Sequence, residues 1–262
     1  MIGIFDSGVG GMTVARAIER MYPGFPFVYF GDLAHMPYGS KSRDMLLDYS
    51  KRNTDFLLDQ GAKIIVIACN TASSAAACDL RAQYDLPIID VITPAVRKAA
   101  QLSENGRIGM IGTRATVQSG VYKEKLAAIR PECNFYSQAC PLLVPLVEEG
   151  WLIQRETKMI VRKYLRPLRE KQIDTLILGC THYPLLKKII IPRIGKRVNI
   201  IDSSVTAADA LQSLLDRDNK LKEELFAPET ESKFYVSDLS SPVESLAASI
   251  FGRSIHLEKT YV

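Results

Sequence analysis

The 262-residue sequence has no CxxC pair among its five cysteines, only three histidines, and no block of like charges. Each absence closes a class of function. The cysteines at 69, 78, 133, 140 and 180 are odd in number, which argues against a disulfide framework. His35, His182 and His256 have no ligand-like spacing, which argues against a structural zinc site. No apolar run approaches the roughly 20 residues that span a bilayer, so no membrane partner is expected. The 33 basic and 29 acidic residues are scattered, and a net charge of +4 without a basic arm gives no reason to expect a nucleic-acid partner. MIGIFDSGVGG has neither a basic region leading into a long apolar stretch nor a small-residue cleavage site, so the expected location is cytoplasmic.

What is present is an ordinary globular balance, 47% hydrophobic and 24% charged, enough for one large or two modest domains. Short apolar runs alternate with amphipathic stretches, as when parallel strands buried on both faces alternate with covering helices. The expected class is α/β. IGIF, FVYFGD, KIIVIAC and PIIDVI read as strands; MTVARAIERM, RDMLLDYSKRNTDFLLDQG and NTASSAAACDLRAQY read as the helices between them. A second series runs from RIGMIGT through NFYSQAC, VPLVEEGWL and TKMIVRKYLRPLREK to TLILGC and THYPLLKKIII. VNIIDSS is the last clear strand expected, before a helix from about Ala207.

The two series match in pattern. IGIFDSGVGG and RIGMIGTRATVQSG each run a strand into a Gly/Ser/Thr turn, and KIIVIACNTASS and TLILGCTHYP each end a strand in cysteine. Ile111 follows Ile4 by 107 positions and Cys180 follows Cys69 by 111, so an internal duplication with two facing α/β halves and mainly parallel sheets is expected. The first boundary falls at Thr93-Pro94, where an X-Pro step favours an extended crossing, and the return falls near Ser204. The expected division is 1–94 with 206–262 against 95–205, with a site in the cleft between them.

Ligands of open α/β sheets bind outside the carboxyl ends of the strands, where Asp6, Asp32, Cys69, Cys180 and Asp202 are expected. Cys69 and Cys180 each stand between a strand and a helix start, where free N–H groups favour a thiolate. A small buried hydrophobe is the commoner fate of a cytosolic cysteine. As a pair on facing halves they suit inversion at a carbon, which removes a proton from one face and returns one to the other. Asp6, Ser7 and His182 are placed to exchange protons near the thiols, although His182 equally fits a solvent-facing helix start. Asn70, Thr71 and Thr181 are uncharged donors suited to a carboxylate, and would look the same as plain N-caps. DSGVGG fails as a dinucleotide fingerprint, since the third glycine would fall at Thr13, and no GxxxxGK[ST] is present. PYGSKS reads as a surface turn and Glu148 as part of a solvated helix end; Cys78, Cys133 and Cys140 lack a strand-end setting and read as structural.

FDSGVGG, GDLAHMPYGSKS, ACNTASS, VPLVEEG and GCTHYPLL, in this order and separation, resemble the glutamate racemases over residues 2 to about 205. The resemblance implies interconversion of L- and D-glutamate with no cofactor and no metal, supply of D-glutamate to peptidoglycan synthesis, and a homodimer. It makes Cys69 and Cys180 the proton donor-acceptors, with Asp6 assisting the first, His182 the second, and Glu148 as a further acidic helper. It brings Asp6, Ser7, Tyr38, Gly39, Asn70, Thr71, Thr116, Thr181 and His182 to the substrate. Rival readings are a racemase of aspartate or another amino acid, a non-catalytic binding protein on the same fold, and a thiol-disulfide oxidoreductase. Retention of both cysteines with Asp6 and His182 speaks against the second. The lack of CxxC speaks against the third.

Overall fold

The computed structural model describes residues 1–262 as ten strands in two sheets, with helices covering their faces. In chain order the elements begin β1 (Ile2–Asp6), α1 (Met12–Met21), β2 (Phe27–Gly31), α2 (Arg43–Asp59), β3 (Ile64–Ile67), α3 (Asn70–Gln83), β4 (Ile88–Asp90) and α4 (Ile92–Leu102). There follow β5 (Arg107–Gly112), α5 (Arg114–Gln118), α6 (Val121–Ile129), β6 (Asn134–Ala139), α7 (Leu143–Glu148), α8 (Arg155–Glu170), β7 (Thr175–Gly179), α9 (Lys187–Ile194) and β8 (Asn199–Asp202). The chain closes with α10 (Ser203–Leu215), α11 (Asn219–Leu225), β9 (Lys233–Val236), α12 (Ser241–Phe251) and β10 (Glu258–Lys259).

Every strand pairing is parallel. The first sheet has the order β10-β9-β2-β1-β3-β4 and the second β6-β5-β7-β8. The order β2-β1-β3-β4 is thus repeated as β6-β5-β7-β8, with Cys69 after the third strand of one series and Cys180 after the third of the other. In such sheets the chain leaves the first strand toward one side and later returns to the other. The crevice opens at that reversal. It falls between the ends of β1 and β3 in one sheet, and of β5 and β7 in the other.

The strands that end at this reversal are apolar because helices cover both their faces. IGIFD, IIVI and TLILG are buried at every position. One apolar core runs from Ile4 and Val66 in the first sheet to Leu178 in the second and Leu165 in α8 beside it, so the sheets are not joined by a loose linker. Leu178→Ala is expected to lower the unfolding free energy by about 3 kcal/mol, measured by urea denaturation. A loss under about 1 kcal/mol would mean that β7 is not a packed centre.

Three boundaries differ from the sequence expectation. Thr93-Pro94 is not an extended crossing but part of the first turn of α4. The Asp90 carboxylate accepts the N–H groups of Ile92 at 2.8 Å and Thr93 at 2.7 Å, which starts the helix ahead of the proline. A proline in a first turn lacks only an N–H that has no intrahelical acceptor. The helix expected from about Ala207 starts at Ser203, because Asp202 accepts the Ser204 N–H at 2.9 Å. VNIIDSS is not the last strand: β9 pairs with β2, and β10 with β9, on the outer side of the first sheet.

Candidate active site

Cys69 and Cys180 line one cavity of about 460 Å³, a size suited to a small molecule. They enter it from different sheets. Ser7, Tyr38, Gly39, Asn70 and Thr71 share the wall from the first series of elements, and Glu148, Thr181 and His182 from the second. Two expected site residues stand behind the wall instead. Asp6 and Thr116 are fully buried and reach the cavity only through other side chains.

Cys69 caps α3, with its sulfur 3.5 Å from the Ala72 N–H that it accepts and 3.5 Å from the Ser7 hydroxyl. Burial pushes the Cys69 thiol up to about 12, and the nearby charge of Asp6 adds to this; the Ala72 N–H and the Ser7 hydroxyl oppose it. Its resting form at neutral pH is therefore the thiol. The Asp6 carboxylate accepts the N–H groups of Gly8 at 3.0 Å and Gly11 at 2.9 Å, and the Thr181 hydroxyl at 3.4 Å. Burial pushes the Asp6 carboxyl up, while the charge of His182 and the N–H groups of Gly11, Gly8 and Ser7 pull it down.

The Cys180 side is built on charge. The His182 ring is buried, with Nδ1 3.8 Å from the Cys180 sulfur and Nε2 3.2 Å from a Glu148 oxygen. The Glu148 contact is electrostatic, since Nε2 makes no hydrogen bond of proper direction. Burial works against the charged imidazole, but the Cys180 sulfur and Glu148 outweigh it and push His182 up to about 10. The charged imidazole thus lies between the Cys180 sulfur and Glu148, whereas the charge beside Cys69 is that of Asp6, which disfavours the Cys69 thiolate. The two thiols thus have charged neighbours of opposite sign.

Uncharged groups join the halves around the thiols. The hydroxyls of Thr71, Thr113 and Thr116 form a triangle with edges of 2.9, 2.9 and 3.2 Å. The Tyr122 hydroxyl donates to Asn70 Oδ1 at 2.6 Å, leaving the Asn70 amide nitrogen near Ser203 at 3.4 Å. Tyr38 lines the cavity with its ring, while its hydroxyl donates to Asp32 at 2.6 Å. Asp32 also meets His35 at 2.8 Å and the Ser237 hydroxyl at 3.1 Å, so it anchors the loop that carries Tyr38. Asp202 pairs with Lys187 and caps α10. Neither of these strand-end acids lines the cavity.

The structure corrects the reading of Cys140. It follows β6 directly and lines the cavity with the two expected cysteines, whereas Cys78 and Cys133 lie away from it. Its strand-end signal was hidden because β6 is an edge strand whose NFYSQA lacks an apolar run. Thr113 and Arg114 were also missed, although GTRAT occupies the place in the second series that FDSG holds in the first. No lysine lines the cavity, so it offers no amine to bind an aldehyde cofactor as an imine.

A sequence model of the Asp/Glu/hydantoin racemase family matches residues 13–211. A glutamate racemase from Persephonella marina is 45% identical over 259 residues, 98% of this chain and 96% of that one. A crystal structure of a glutamate racemase isoform from Bacillus anthracis superposes with a TM-score of 0.93 at 35% identity, covering 99% of this chain and 97% of that one. One from Francisella tularensis, in complex with D-glutamate, gives 0.89 at 35% identity, over 99% and 96%. With a family match over most of its length and glutamate racemases aligned almost end to end, the chain belongs to the Asp/Glu/hydantoin racemase family.

Proposed function

We propose that this isomerase interconverts L- and D-glutamate with Cys69 and Cys180 as the two acid-base groups. The observation that carries the reading is one cavity lined by a thiol from each sheet, in a chain whose relatives are glutamate racemases. One sulfur, as thiolate, takes the Cα proton. The other thiol gives its proton to the opposite face of the resulting carbanion, and the roles exchange for the reverse direction. His182, with Glu148 behind it, holds charge at Cys180, and Asp6 acts on Cys69 from beneath the wall. Asn70, Thr71 and Thr181 supply donors to the substrate carboxylates; Ser7, Tyr38, Gly39 and His182 complete the contacts, with Thr116 bracing Thr71. The domain division of 1–94 with 206–262 against 95–205 is supported by the return of β9 to β2. Family resemblance supports a cytoplasmic homodimer that supplies D-glutamate to peptidoglycan, and needs no cofactor.

The test is incubation with L-glutamate and with L-aspartate, separately, in deuterated water, following circular dichroism and Cα exchange. Inversion of glutamate with Cα labelling is expected. Turnover of aspartate alone would move the reading to its rival, and exchange of neither would end it.

Arg114 is the one arginine or lysine on the cavity wall, and it has no carboxylate partner. Its charge is free to attract an anionic amino acid to the cavity. Arg114→Gln is expected to lower kcat/KM about five- to tenfold at low salt through lost attraction, with kcat within about twofold. The deficit should shrink in about 0.5 M salt, where charges more than a few ångströms apart are screened. A deficit unchanged by salt would assign Arg114 a direct contact instead.

A further inference from the structure

The glycine-rich turn after β1 has the composition of an anion cradle, but two of its donors are already taken. The N–H groups of Gly8 and Gly11 point at Asp6, a carboxylate of the chain itself. The outer side of the turn meets the second series of elements. A Cβ built on Gly10 would lie 2.5 Å from His182 Nδ1, 2.6 Å from Cε1 of the same ring and 2.6 Å from the Thr181 hydroxyl oxygen. Only a residue without a side chain allows that approach. Two positions into α1, the Thr13 hydroxyl lies 3.1 Å from the Thr181 carbonyl oxygen, to which it donates, and 2.9 Å from the Gly10 carbonyl oxygen. Asp6 completes the grip by accepting the Thr181 hydroxyl at 3.4 Å.

These contacts hold the backbone oxygen and side chain of Thr181 and the ring of His182, just after Cys180. Neither Gly10 nor Thr13 lines the cavity. The ring they seat is the one whose Nδ1 faces the Cys180 sulfur at 3.8 Å.

The geometry points to Gly10 and Thr13 as positioning residues, through which the first sheet's turn aligns His182 on Cys180 across the cleft. The acid-base group of one half is then completed only when the other half is seated against it. This rests on the two-thiol reading of the site. The groups that face His182 are Cys180, Glu148 and Asp6, and Gly10 sets the side from which the ring is confined. An ordinary packing contact would tolerate a shape-conserving change that removes only the hydroxyl. A positioning contact would not.

The test compares Thr13→Val, Thr13→Ser and Gly10→Ala in the full-length protein. Glutamate racemisation is measured alongside the NMR titration of histidine-labelled protein, in which three histidines give resolvable signals and His182→Asn identifies one. Thr13→Val is expected to lower kcat about tenfold, as for a weakened proton-transfer partner, with KM within about twofold and the protein still cooperatively folded at the assay temperature. Thr13→Ser should restore kcat to within about twofold of the parent. Gly10→Ala should move the His182 midpoint from about 10 toward the ordinary histidine value. Thr13→Val with parental kcat and an unmoved His182 titration would overturn the proposal, whether or not Gly10→Ala folds. Should the parent protein fail to racemise glutamate, the two-thiol reading falls. The titrations of Thr13→Val and Gly10→Ala then still decide the alignment, and unmoved midpoints overturn it.

Discussion

Cys69→Ser and Cys180→Ser are each expected to lose about a thousandfold in racemisation, within the range for removing a general acid or base, while remaining folded. The structural change is small, since serine is close to cysteine in size at both buried positions, and serine at position 69 still accepts the Ala72 N–H as an N-cap. The chemical change is large, because a hydroxyl does not become an anion at neutral pH. Enantiomers have equal free energy in water, so kcat/KM falls equally in both directions for each variant. Isotope exchange distinguishes the two variants. The remaining thiolate can still remove the Cα proton from the enantiomer that presents it, trade it for deuterium, and return the label to the same face. Each variant should therefore label one enantiomer without inverting it, and the two variants should label opposite enantiomers. Circular dichroism and proton NMR in deuterated water read both quantities. Full inversion by either variant would remove that cysteine from the mechanism.

Much of this site was legible because parallel strands covered on both faces must be apolar along their length. KIIVIAC and TLILGC display that run and then break it with a cysteine, so Cys69 and Cys180 could be placed at strand ends without coordinates. The same rule hid Cys140. An edge strand such as β6 is half exposed and carries polar residues, and no apolar run announces where it ends. The Thr93-Pro94 step misled for a related reason: its local preference is extended, but the Asp90 cap and the packing of α4 on β7 and β8 override it. Asp6 was expected to assist the first thiol and to contact the substrate. Its bonds to Gly8 and Gly11 close within the DSGVGG turn, but its bond to Thr181 forms only when the halves meet, and no pattern within one stretch of chain encodes it.

Removing the imidazole should affect both rate and stability. His182→Asn is expected to lower kcat about a hundredfold, because an amide can occupy the ring's place but cannot hold a proton beside Cys180. The folded His182 lies near 10 against a reference value of 6.5. Folding therefore favours its protonated form. The stabilisation this represents is fully present below about pH 6.5, declines as pH rises through the interval, and is gone above the folded midpoint near 10. The stability advantage of the parent over His182→Asn should accordingly be greatest at pH 6.5 and smallest above pH 10. Urea denaturation of both proteins across that range measures it. An advantage that instead grew with pH would mean that burial dominates and that the ring is neutral in the folded protein. Cys180 would then lack a cation beside it, and the electrostatic difference between the two thiols would have to originate with Asp6 beneath Cys69.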